Sequence, residues 1–129
     1  MATYVGLLRG VNVGGRNKVP MEQLRPLLES LGHHHVRTHR QSGNIIFSGA
    51  SALPARRYEE AIAERFGVRT TFVLRSAHEL RKTIRDNPFV DCDNSKIHVG
   101  FMERLPGVNA VAGLDPRLYL PERFSIVVR

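Results

Sequence analysis

Apolar positions fall along this chain in short dry runs and in helical stripes, and the two alternate. Residues 3–8 are β-rich and almost continuously apolar, which predicts a strand covered on both faces and central in a sheet. Leu24, Leu27, Leu28 and Leu31 recur at helical spacing and predict a first helix from Pro20 to Leu31, ended by Gly32. Pro20 suits the first helical position, where its missing N–H costs nothing. Pro26 falls inside the helix, removes the hydrogen bond to the Glu22 carbonyl at a cost of about 3 kcal/mol, and predicts a kink. Residues 33–40 carry β-branched side chains but little apolar content on either face, and read as a polar edge strand. Ile45–Phe47 is dry, with Ile45 and Phe47 facing one layer and Asn44 and Ile46 the other. Tyr58, Ala61, Ile62 and Phe66 mark the buried face of a second helix over Ala55–Phe66, closed by Gly67, and Thr70–Leu74 reads as a fourth strand.

The order β-α-β-β-α-β is that of a ferredoxin-like split βαβ fold, an α+β class, over residues 1–75. It places the first and third strands centrally and the second and fourth at the edges, with one face packed on both helices. The other face is expected to carry Tyr4, Leu8 and Ile46 and to need a cover or a partner, such as a second copy of the chain. Ser76 to Glu79 spells a capping box that opens a third helix, Ala77–Asp86, stopped by Asn87-Pro88-Phe89. Lys96–Met102 and Phe124–Val128 alternate enough for strands, and Gly107–Gly113 reads as a short helix. Residues 76–129 are therefore expected to form an incomplete second α+β unit packed on the first.

Between the first strand and the first helix lies Arg9-Gly10-Val11-Asn12-Val13-Gly14-Gly15-Arg16-Asn17-Lys18. Its glycines allow positive φ or close backbone approach, and cations stand among them, so the loop is a physically reasonable anion cradle. Gly10 to Gly15 matches the glycine spacing of a nucleotide-hydrolase phosphate loop, but Arg16 and Asn17 stand where that mechanism needs a lysine and a hydroxyl for magnesium. The dinucleotide fingerprint fails too. A connecting loop whose glycines only serve turn geometry is the plainer alternative. In the split βαβ topology the start of the third strand lies near the end of the first, which brings Gln41-Ser42-Gly43-Asn44 toward Arg9 and Gly10, with Arg37 and Arg40 in the neighbourhood. The candidate ligand-binding residues are Arg9, Gly10, Asn12, Gly14, Gly15, Arg16, Lys18, Arg37, Ser42, Gly43 and Asn44, and the ligand a phosphate-bearing one, a nucleotide or RNA.

Charge and composition change this picture only slightly. The net charge of +7 favours polyanions as partners, yet sixteen of the nineteen cations are arginines scattered along the chain, a pattern that genomic base composition alone can produce. At 129 residues the chain is about one domain, and an apolar fraction of 42% is ordinary for a globular protein. No run of about 18 apolar residues exists to span a membrane, and the N-terminus lacks a signal-peptide pattern, so a cytoplasmic location is expected. The single cysteine, Cys92, excludes an internal disulfide, and Asp91 and Asp93 beside it disfavour a thiolate. His35, Arg37 and His39 would share one strand face, but no carboxylate or cysteine interleaves with them. They read as structural or solvated histidines, and neither metal nor cofactor is expected.

Residues 7–15, LLRGVNVGG, then Lys18-Val19-Pro20-Met21, Val36-Arg37-Thr38 with Gln41-Ser42-Gly43-Asn44, and Asn87-Pro88-Phe89 resemble the bacterial domain of unknown function 1697 family over essentially the whole chain. The resemblance implies a cytoplasmic α+β protein of two ferredoxin-like halves, with no activity, substrate or cofactor attached. It also implies a further strand and helix bearing a basic-aromatic segment beyond Arg129.

Three functional classes follow. The first is the anion-binding module just described. RNA binding on the sheet face would use Tyr4 as a stacking ring, but Ser42 and Asn44 stand where the third strand should supply two more, and stacking is worth about 1–3 kcal/mol per base. The second is an enzyme drawing on Arg9, Asn12, Thr38, Ser42 or Asn44, with His35 or His39 for acid-base work; no activated nucleophile stands out. The third is a protein that pairs through its open sheet face.

Overall fold

A computed structural model describes residues 1–39 and 43–126. The elements are β1 (Ala2–Leu8), α1 (Met21–Ser30), β2 (His34–His39), β3 (Asn44–Gly49), α2 (Ala55–Phe66), β4 (Phe72–Ser76), α3 (Ala77–Arg85) and α4 (Val108–Ala112), with 3₁₀ turns at Asn94–Lys96 and Pro116–Tyr119. Arg40, Gln41 and Ser42, and with them the tight turn expected there, lie outside the described residues. The protein is a mixed α/β molecule with one antiparallel sheet of order β2-β3-β1-β4, so the two driest strands are central and the wettest lies at an edge.

The register decides which side chains face the helices. Tyr4 pairs with Phe47, Gly6 with Ile45 and Leu74, and Leu8 with Phe72, and these residues share the face covered by α1 and α2. Tyr4 and Leu8 thus lie opposite to the expected side: the Tyr4 ring sits 5.7 Å from that of Phe47. The other face carries Val5, Leu7, Ile46 and Val73. A run apolar at every position gives no alternation from which the inward set could be read, and only the pairing with β3 fixes it.

Helix α1 buries Met21, Leu24 and Leu28 against the sheet, with Leu27 and Leu31 partly covered. Those three contribute about 1.5–3 kcal/mol each, enough to carry the helix through Pro26, which lies on its exposed side together with Glu22. Pro20 stands one position earlier than expected, as the N-cap at φ −62° and ψ 114°. Helix α2 spans the expected residues, buries Tyr58 and Ile62, and ends at Gly67 with φ 69°, the left-handed stop glycine supplies without strain. Strand β4 begins two residues later than its apolar run suggests. Thr71 is taken by the loop after β1, accepting from Arg9 N–H at 3.1 Å, and the Phe72 N–H donates to Glu59 on α2 at 2.8 Å. Ser76 both ends β4 and caps α3, and both capping-box bonds form, Glu79 N–H to Ser76 Oγ at 3.1 Å and Ser76 N–H to Glu79 Oε1 at 3.0 Å.

By compactness the chain divides into Met1–Asp86 and Asn87–Arg129. Within the second unit, the expected helix appears as α4, but no strand forms over Lys96–Met102 or Phe124–Ile126. Val127 and Val128 lie outside the described residues. Alternation alone does not make a strand: its N–H and C=O groups need a neighbour, and no second sheet is present among the described residues.

Candidate functional site

The loop after β1 starts and ends in the core. Val11 and Val19 are 2% and 0% exposed, and the residues between them rise to the surface. Two asparagines tie this excursion to itself. Asn12 Nδ2 donates to the Val19 carbonyl at 3.0 Å while the Val19 N–H donates to Asn12 Oδ1 at 2.8 Å, and Asn17 Nδ2 reaches the Gly10 carbonyl at 3.0 Å. The Asn12 N–H donates to the Asn17 carbonyl at 3.0 Å. At the tip Arg16 N–H donates to the Val13 carbonyl at 2.9 Å, with Gly14 and Gly15 between them at φ 57° and 73°. Two successive positive φ values closed by this bond make a type I′ turn, which favours glycine at both central positions. Asn12 and Asn17, at φ 55° and 52°, adopt the left-handed region that asparagine tolerates best after glycine.

The loop is therefore a fastened turn rather than a flexible string of bare amides. Its glycines answer to backbone conformation: a Cβ placed on Gly10, Gly14 or Gly15 would meet nothing within 4 Å. Gly43 differs. A Cβ there would sit 2.8 Å from Val11 Cγ2 and 2.9 Å from Leu8 Cβ, so this buried glycine lets the start of β3 press against the loop's root. Its carbonyl accepts from Leu8 N–H at 2.9 Å, and Asn44 pairs with Leu7. The expected approach of the third strand to the end of the first is present; Ser42 lies outside the described residues.

The cations remain outside this scaffolding. Arg9 is held by its backbone, its N–H on the Thr71 carbonyl and its own carbonyl accepting from Thr70 Oγ1 at 2.7 Å, while its side chain is exposed. Arg16 and Lys18 are exposed too, and among the described residues none of the three makes an ion pair. Beside them an open cleft of about 410 Å³ is lined by Asn12, Gly15, Lys18, Val19, Pro20 and Glu22. A cation and a carboxylate share its wall. Arg37 stands on β2 opposite Ile46, on the sheet face away from α1 and α2.

Around the histidines the register changes what spacing implied. His34 pairs with Ser48 but Arg37 with Ile46, so one extra residue is inserted, and His35 takes φ 52°. This bulge breaks the alternation that would have aligned His35 with Arg37 and His39. No group of three potential metal ligands is present among the described residues. His33, read as part of the edge strand, precedes β2 and is 4% exposed. Tyr58 Oη accepts from Leu53 N–H at 3.0 Å and meets His33 Nε2 at 2.8 Å. Nδ1 of His33 is buried without a partner, so in either tautomer Nε2 is the one ring nitrogen that is hydrogen-bonded. Desolvation, with a smaller contribution from His34, holds the His33 pKa below its ordinary value; desolvation raises that of Tyr58. In the second unit Arg123 donates to Cys92 Sγ and lies over the Phe89 ring at 5.2 Å, a contact the flanking aspartates gave no sign of. Tyr4, packed on Phe47 on the helix side, is withdrawn from any stacking role on the opposite face.

No curated protein matches the chain. A solved structure, that of the conserved bacterial protein SP0830 from Streptococcus pneumoniae, is similar at 32% identity and a TM-score of 0.59 over 69% of this chain. The match covers 50% of the pneumococcal chain, so this chain spans about half the length of that relative. The family model described as "Protein of unknown function (DUF1697)" matches residues 1–129. Over residues 1–129, the glycine turn among them, the chain belongs to the DUF1697 family.

Proposed function

We propose that this protein is a binding module for a phosphate-bearing ligand, built on a ferredoxin-like split βαβ sheet in a cytoplasmic protein, with Arg9, Arg16 and Lys18 as the contacts. The observation that carries the reading is that these three exposed cations flank one loop, have no ion-pair partner among the described residues, and ride on a backbone its own asparagines hold in place. With the backbone already held, only side-chain freedom is lost when an anion arrives. Gly14 and Gly15 set the turn, Asn12 clamps its base, and Gly43 and Asn44 brace its root. Arg37 stands apart on β2, and is expected to matter less.

The test is ligand binding by the whole chain, followed as thermal stabilisation in a panel of nucleotides and short oligonucleotides, beside a variant carrying Arg9→Ala, Arg16→Ala and Lys18→Ala. Stabilisation in the wild type and at least a tenfold weaker apparent affinity in the variant is expected, equivalent to about 1.4 kcal/mol. Equal stabilisation of both by every ligand that binds would remove the loop from the site.

A further inference from the structure

Resting on that anion-binding reading, we infer that the loop is a finger for the phosphate backbone of a nucleic acid and not a cradle for a free nucleotide. Its roots, Val11 and Val19, are sunk in the core, and the Asn12 clamp closes its base. Beyond the clamp it stands in the open. Val13 is 64% exposed, every residue from Gly14 to Lys18 is exposed, and a methyl group built on Gly14 or Gly15 meets nothing within 4 Å. A small-molecule site buries most of its ligand between walls, and the outer side of a projecting turn has none.

The concave side of the loop is a poor home for a compact anion, because Glu22 lines the cleft together with Lys18. A polymer that carries a charge at every step needs no enclosure. It can lie along the outside of the turn, touch the cations in succession and release its condensed counterions. Among the described strand residues no Phe, Tyr or Trp lies on the sheet face away from α1 and α2, where the Tyr4 ring is missing, so the finger reads the backbone and not the sequence. An anionic bilayer is the competing surface. The tip offers it one apolar side chain, Val13, worth at most about 1.5–3 kcal/mol, where stable membrane anchoring takes a second signal.

The experiment is fluorescence anisotropy of the full chain with a short DNA duplex and an RNA duplex of the same sequence, with ATP and phosphatidylserine vesicles as separate arms. Contacts from three cations to DNA give a slope of about −2.7 in log affinity against log salt, so raising salt from about 50 to 200 mM weakens binding about 40-fold. Arg9→Ala, Arg16→Ala and Lys18→Ala each lower that slope by about one, and Arg16→Lys keeps it. The three side chains are exposed, and circular dichroism checks that each variant stays folded. The DNA and RNA arms separate the two possible sources of the backbone, and binding of either in this manner supports the finger. ATP bound as tightly as either duplex, and weakened by the same variants, overturns the finger and leaves the anion-binding reading standing. Vesicles bound more tightly than both duplexes also overturn it, and binding that no variant weakens in any arm overturns both.

Discussion

His33 is the residue where charge and packing conflict most sharply. Its ring lies between Phe47, tilted at 46°, and Tyr58, stacked at 25°, with centroids 4.6 Å and 5.6 Å away, and its buried Nδ1 has no hydrogen-bond partner to help hold a charge on the ring. Burial holds its pKa in the folded state below the ordinary value of about 6.5. The stability linked to this group is therefore complete above pH 6.5 and is lost as pH falls toward the lowered folded value, because the unfolded chain takes the proton first. Denaturant midpoints measured from pH 8 to pH 5 are expected to decline below pH 6.5 in the wild type. In His33→Asn, less stable throughout, that component of the decline is absent. An unchanged pH profile in the variant would assign the decline to other groups.

At the scale of elements, the sheet depends on a missing side chain. Gly6 in β1 lies beneath the Phe72 ring, and a Cβ added there would stand 2.1 Å from Phe72 Cζ. Phe72 is 1% exposed and stacks at 4.5 Å on Tyr58, so the ring has nowhere to go. Gly6→Ala is expected to cost about 1–3 kcal/mol in chemical denaturation, the usual range for overpacking. Phe72→Leu made together with it should recover part of that loss, since the two sites share one collision. The neighbouring elements were legible to different degrees for physical reasons. Helix α2 and the α3 cap rest on contacts within a few residues, and the stripe Tyr58–Ile62, Gly67 and the Ser76–Glu79 pair announce them. The bulge at His35 and the late start of β4 depend on strands and loops far away in sequence, and no local pattern encodes them.

For the whole molecule, burial is unequal. Every buried hydrophobic side chain among the described residues lies in Met1–Asp86. In Asn87–Arg129 no residue whose burial is described is buried, and Val90, Val108, Leu118 and Leu120 are between 67% and 84% exposed. Local stability follows the number of buried apolar contacts, so amide exchange should separate the two units. Amides of β1, β3 and α2 are expected to exchange only through global opening, and those of residues 87–126 much sooner; uniform protection along the chain would contradict this. The candidate site belongs to the first unit, so its roots in Val11 and Val19 share the stability of the main core.

The sequence by itself determined which segments become helices and dry strands, because hydrophobic period, glycine stops and capping residues act over a few positions. It also marked Arg9 to Lys18 as unusual, since glycines and cations together are visible as composition. Tertiary structure alone decided which face of β1 is inward, that His33 is buried while its neighbours are not, and that the loop's asparagines bond the loop itself. Each of those depends on a partner distant in sequence, Phe47 for Tyr4 and Tyr58 for His33, or on a turn that carries Asn12 back to Val19.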